Sequence, residues 1–256
     1  KKWLHKGTFT AAYQNIKESR IQRKFGSLEK LFRNEEVDVF SINGDFTVPV
    51  TDDKNRNLSY GFEVAYNDVS SLSEGKNIIV SDQEVIGFGD VFDVQSRFPD
   101  GGSSYMSGAV YADYRQDLNE KSTLNTGVRL TNTKLKALWL DETFITLEQD
   151  QIALTNSALT FTMGYVYKPT IDWKINSVIS SGFRSPNIDD VGKVREKNGM
   201  VTLPNIALKP EYAYSGEVGV QKFFNDRTFT LGFTMYYTLL HDYITREELW
   251  ACTSCN

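Results

Sequence analysis

Arg97 and Asp100, with Phe88 and Phe92 shortly before them, are the side chains in this sequence best suited to holding a ligand. Aromatic surface supplies apolar contact, a guanidinium orients an anionic group through paired donors, and a carboxylate accepts a donor in return. All four fall in the longest stretch without strand patterning, residues 71–104, and recognition usually resides in long loops on a rigid scaffold. The phenylalanines suit packing that loop against itself equally well, so both readings stand at this point.

Other chemistry is thinly supplied. The two histidines, His5 and His241, lie far apart and read as rim or surface side chains rather than metal ligands. Asp53-Lys54-Asn55-Arg56-Asn57 starts like a calcium loop, but Leu58 stands where glycine is required, so a turn is expected. Gly87-Phe88-Gly89-Asp90 leads into no helix that would cradle a phosphate. Ser180 and Ser181 have no histidine nearby and the carboxylates are scattered, so no catalytic constellation, metal site or cofactor is expected. Cys252 and Cys255 have a CxxC spacing, whose meaning depends on the compartment.

The elements that position these groups are strands. Tyr 13, Phe 16 and Trp 4 beside 18 Gly and only 6 Pro suit pleated segments ended by turns. A net charge of −5 and a pI near 5.2 give no basic footprint, which argues against a nucleic-acid partner. No run approaches the roughly 18 apolar residues of a membrane-crossing helix, but a crossing strand needs only about 9 to 11 residues with one apolar face. The mean hydropathy of −0.38 is compatible with such strands.

Apolar residues recur at every second position in Tyr60, Phe62, Val64 and Tyr66, in Leu124, Val128 and Leu130, and in Phe161, Met163, Tyr165 and Tyr167. The pattern returns in Trp173, Ile175, Ile179 and Phe183, and again in Phe229, Leu231, Phe233, Met235 and Tyr237. Ten strands are predicted near 7–20, 36–49, 58–70, 105–118, 122–140, 157–169, 172–184, 211–224, 228–238 and 239–248. The last two read alternatively as one strand, which makes nine. Short turns at 52–57, 119–121, 169–171 and 225–227 alternate with long connections at 21–35, 71–104, 141–156 and 185–210. Such sorting is expected of a transmembrane barrel, with short turns on one rim and long loops on the other.

Two boxes sharpen this reading. Ser180-Ser181-Gly182-Phe183-Arg184-Ser185-Pro186-Asn187 is followed by Leu203-Pro204-Asn205 and Leu208-Lys209-Pro210-Glu211. Together they resemble the barrel of TonB-dependent outer-membrane receptors. Tyr13-Gln14-Asn15 with Glu18-Ser19-Arg20, Leu58 to Glu63, Ser96-Arg97-Phe98-Pro99-Asp100-Gly101 and Thr126-Gly127-Val128-Arg129 follow in family order, so the likeness covers residues 7–249. The resemblance implies an all-β fold, an antiparallel segment of about ten strands from a barrel of about 22 strands around a globular plug. It also implies a Gram-negative outer-membrane location, contact with outer-membrane lipid, TonB engaged through a segment ahead of the plug, and import of a siderophore, haem or cobalamin-class nutrient. No plug is recognisable, so residues 1–256 are expected to be a middle part of a longer protein's barrel.

On this reading Glu63, Arg184 and Glu217 point into the lumen, where they would meet the plug or serve as structural ion pairs. Some haem receptors of the family carry a histidine between the two boxes; residues 187–203 have none and the second box is altered, which disfavours haem. In an oxidising envelope Cys252 and Cys255 suit a short disulfide. The alternatives from other classes are a passive porin or adhesion barrel, an outer-membrane barrel enzyme, and a secreted β-sandwich.

Overall fold

Every strand of the principal sheet pairs antiparallel with its chain neighbour, and each pairing follows from side-chain alternation on the two faces. The computed structural model describes residues 4–50, 55–141, 143, 150–192, 195–197, 200–202, 205 and 207–245. The wall consists of β1 (Lys6–Gln22), β2 (Glu29–Pro49), β3 (Arg56–Ser81), β5 (Ser103–Asn119), β6 (Ser122–Leu138), β7 (Gln151–Tyr167), β8 (Trp173–Arg184), β11 (Glu211–Phe224) and β12 (Phe229–His241). β4 (Glu84–Asp93) pairs with the far end of β3 and completes a ten-stranded sheet. A helix of one turn, α1 (Ile188–Val191), and a small hairpin, β9 (Arg195–Lys197) with β10 (Met200–Thr202), lie between β8 and β11.

Several strand ends differ from the sequence expectation. β12 is a single strand ending at His241, so 228–238 and 239–245 do not form two strands; residues 246–248 lie outside the described residues. The tenth strand is instead β4, inside the stretch expected to be the 71–104 loop. β3 runs on to Ser81, turns through Asp82 and Gln83 at φ 50° and 68°, and returns as β4. Two successive residues with positive φ make the kind of two-residue hairpin turn whose twist matches the strands it joins. β2 likewise starts at Glu29 rather than 36, and β7 at Gln151 rather than 157. Apolar alternation ends where an apolar environment ends, but the backbone ladder continues wherever partner strands remain in register.

Antiparallel next-neighbour order puts the connections 23–28, 82–102, 139–150 and 185–210 on one rim and the short turns on the other. The two faces differ sharply. One carries Phe9, Ile42, Phe62, Val64, Val110, Val128, Leu130, Phe161, Met163, Ile179, Val218 and Met235, an apolar belt with aromatic pairs near its margins. Phe46 meets Tyr60 at 5.4 Å near the short-turn rim, and Tyr13 meets Phe40 at 4.8 Å toward the other. The opposite face is polar over the same rows, with Asp45, Gly61, Glu63, Tyr111, Gly127, Arg129, Thr162 and Ser180.

The compact core is small and sits on the polar face near the long-loop rim. Leu135, Ala137 and Ile152 pack there against Val191 of α1, which is fully buried. Burying that valine contributes about 1.5 to 3 kcal/mol, enough to hold a one-turn helix too short to persist alone.

Candidate functional site

At mid-height, four strands of the polar wall aim a charged group of side chains at one another. Arg129 of β6 places Nη2 3.3 Å from Glu63 Oε2 of β3, and its Nε donates to Thr131 Oγ1 at 3.1 Å. The guanidinium lies over the Tyr111 ring, 5.7 Å from its centroid, and the Tyr111 hydroxyl donates to Asp45 of β2. Glycine makes this layout possible. A Cβ on Gly61 would run into the Tyr111 hydroxyl and the Gly44 carbonyl, so only a bare backbone lets Tyr111 lie across β3 toward β2. Glu63 thus pairs with the guanidinium directly, while Asp45 is joined to the group through the Tyr111 hydroxyl, on a partly solvated surface where such a network shapes local charge more than it stabilises the fold.

The Phe183–Asn187 box has a definite local role. Arg184 donates to both oxygens of Asp190, at 2.6 and 2.8 Å, and stands 3.8 Å from Glu211. Asn187 caps α1, accepting from the Asp189 and Asp190 amides while Asp190 accepts from the Asn187 amide. Ser185 Oγ lies 2.8 Å from Thr133 Oγ1 and accepts from Asn156 Nδ2 at 3.1 Å, and Pro186 is fully buried. The box therefore folds the chain after β8 inward over β6 and β7. Glu217 lies on the same polar face, across from Val178 and Tyr236, exposed and with no ion pair or side-chain hydrogen bond among the described residues.

The four loop residues do not converge. Phe88 lies edge-on to Phe32 at 5.8 Å, with Lys30 over both rings. Phe92 stands opposite Gly75, whose register neighbours Glu74 and Lys76 face the other way with Phe32 and Lys30, so the two phenylalanines occupy opposite faces. Arg97 covers the Phe98 ring at 4.9 Å and reaches Asp189 at 3.9 Å, linking this connection to the one that carries α1. Asp100 accepts from the Leu140 and Asp141 amides at 3.0 and 2.9 Å and so staples residues 94–102 to the end of β6. The Thr143 side chain and amide hold the Asp141 carboxyl below the usual carboxylate range.

Sequence reasoning missed Asp45, Tyr111 and Arg129 as one group, and Asp190 and Glu211 as partners of Arg184. It also missed Glu35, which is buried on the polar face directly opposite Glu18, with no partner for either carboxylate oxygen among the described residues. Among the described residues no three His, Cys, Asp or Glu side chains gather as metal ligands. His241 Nδ1 lies 3.2 Å from its neighbour Asp242. The Asp53 turn lies partly, and Cys252 and Cys255 wholly, outside the described residues.

An antiparallel wall, apolar outside and polar inside, with short turns on one rim and, on the other, residues 96–102 and 185–192 folded over the inner face, is a segment of a transmembrane β-barrel. The chain belongs to the TonB-dependent receptor family: the family model described as TonB dependent receptor-like, beta-barrel, matches residues 1–253. Among solved structures, the copper transporter OprC superposes with a TM-score of 0.70 at 13% identity, covering 93% of this chain and 35% of that one. The ferric citrate transporter FecA in its unliganded form gives 0.62 at 14% identity, covering 93% and 32%. The hemophore receptor HasR of Serratia marcescens, solved with HasA and heme, gives 0.55 at 12% identity, covering 93% and 41%. At these identities the likeness carries the fold, and the chain spans about a third to two fifths of each structure. No curated protein matches the sequence.

Proposed function

We propose that this chain is part of the barrel wall of a Gram-negative outer-membrane receptor that imports a scarce nutrient with energy delivered through TonB. The observation that carries the reading is the family match over residues 1–253. The polar inner face, with Glu63, Arg129, Arg184 and Glu217 along it, supports it as a surface against which a plug domain from the remainder of the protein would seat. The similar structures include a copper transporter, a hemophore receptor in complex with heme and a ferric yersiniabactin uptake receptor, which favours a metal-bearing ligand. A ferric siderophore ranks ahead of haem, because residues 187–203 lack a histidine, and cobalamin completes the candidate class.

The test is uptake by the intact receptor in cells with and without TonB. Accumulation of one labelled ligand of this class that requires both proteins is the expected result. Equal passage without TonB, or open-pore conductance of the purified protein, would overturn the reading in favour of a passive barrel.

A further inference from the structure

We propose that β4 is a docking edge outside the cell: its open side takes up an extended, basic segment of a second protein, which joins the β3–β4 hairpin as a further strand. β4 pairs with β3 alone and stands in the sheet above Ser103, where β5 begins, so the other side of its ten residues has no ladder partner among the described residues. About half of the backbone N–H and C=O groups of such a strand point to that side, over a length of about 33 Å. Edges that must stay free are normally blunted with lysine or proline, and β4 contains neither. It is strand-forming and open instead: Val85, Ile86, Phe88 and Val91 are exposed, Ile86 and Val91 to 65% and 63%. β1 and β12 also end the sheet, but barrel closure covers their edges, whereas β4 rises above the wall, where closure does not reach.

Charge decides the chemistry of the occupant. Residues 82–93 carry Asp82, Glu84, Asp90 and Asp93 and no lysine or arginine. All four carboxylates are exposed and none has an ion pair or side-chain hydrogen bond among the described residues, whereas Glu74 on β3 is matched by Lys76 at 2.7 Å. A second copy of the hairpin fits poorly. Two β4 strands paired antiparallel about their midpoint set Glu84 opposite Asp93 at both ends, and like charges so placed are destabilising. A strand bearing lysine or arginine meets both demands, since its backbone completes the ladder and its side chains reach the carboxylates. In strand addition the main-chain bonds supply affinity and the alternate side chains supply specificity.

Binding at this edge requires neither nutrient nor TonB, so it is read separately from the uptake experiment and either can fail without the other. The probe is a ten-residue peptide of alternating valine and threonine with lysine at both ends and at its centre. Its controls are the same peptide with glutamate in place of lysine, and the lysine peptide N-methylated on alternate amides. With the intact receptor in lipid nanodiscs, the lysine peptide should bind at least about tenfold more tightly than either control and slow hydrogen exchange across 84–93 about fivefold. Glu84→Lys/Asp93→Lys should reverse the preference toward the glutamate peptide, with unchanged exchange at 74–81 showing that the hairpin still folds. Equal binding of the N-methylated peptide to wild type reduces the effect to charge and overturns the proposal whatever the variant does, as does an unreversed preference in a folded variant. Full protection of 84–93 in the free receptor would mean that its own loops fill the edge, and protection that rises with receptor concentration alone would mean a second copy; either result overturns the proposal too.

Discussion

Arg184 grips both carboxylate oxygens of Asp190, at 2.6 and 2.8 Å, and so ties the last residue of β8 to the end of the capped turn that follows it. Charge-assisted bonds of this kind run to about 1.5 to 3 kcal/mol when buried, but the arginine is half exposed and solvent screening reduces that. Arg184→Ala is expected to loosen residues 187–192 by about 1 kcal/mol, seen as roughly fivefold faster hydrogen exchange there with the barrel still folded. Arg184→Lys should recover only part, since a single ammonium cannot span both oxygens. Unchanged exchange in Arg184→Ala would show that Val191 packing alone holds the turn.

Met163 and Thr162 are adjacent but face opposite environments. Met163 stands mid-belt between Thr126 and Ile179, whereas Thr162 lies between Gly127 and Ser180 on the polar face. Met163→Arg is expected to cost about 2 to 4 kcal/mol when the intact barrel is unfolded from bilayers. Thr162→Arg should cost far less, because its guanidinium would extend into the lumen near Asp113. Equal costs at the two positions would contradict the assignment of faces.

The belt was legible because period two survives in Tyr60 to Tyr66 and Phe161 to Tyr167, each bounded by polar turns. Strand continuation past the belt was not: residues 67–81 have no repeating apolar face, and Asp82-Gln83 is not the asparagine–glycine pair that announces a two-residue hairpin. The ion pairs depend on register. Arg129 and Glu63 are far apart in sequence and meet only because β5 lies between β3 and β6 and Tyr111 lines up with both Gly61 and Arg129. Arg184 as an inward charge could be read from its alternation with Phe183, but its partner Asp190 requires the cap that Asn187 builds.

Glu35 and Glu18 are directly opposed on β2 and β1, and like charges so placed destabilise a sheet; Arg20 offsets Glu18 at 2.6 Å but makes no hydrogen bond with Glu35, whose charge is the less compensated of the two. Glu35→Gln keeps the shape and removes one charge from a buried position, where an amide is less costly than an unpaired carboxylate. The intact barrel should gain about 0.2 to 1 kcal/mol, read as a higher urea midpoint at constant slope. A loss of stability larger than that gain would mean that Glu35 has a cationic partner in the assembled receptor.

Arg97 and Asp100 call for separate tests, because the structure gives them different surroundings. Asp100 is spent on the backbone of residues 140 and 141, so Asp100→Ala should loosen that staple and act on a ligand only through loop order. Among the described residues Arg97 has one long contact with Asp189 and lies over the Phe98 ring, which leaves donors for an anionic ligand at the mouth of the barrel. Arg97→Ala in the intact receptor is therefore expected to weaken an anionic ligand about tenfold, with Arg97→Lys intermediate and hydrogen exchange at 138–141 unchanged. Deleting residues 84–93 removes β4 but keeps both Arg97 and Asp100, and should lower affinity while the nine wall strands still assemble, since β4 pairs with β3 alone. If Arg97→Ala and the deletion both bind at wild-type strength, Phe88 and Phe92 serve to pack the hairpin against β2 and β3, and capture belongs to other loops of the receptor.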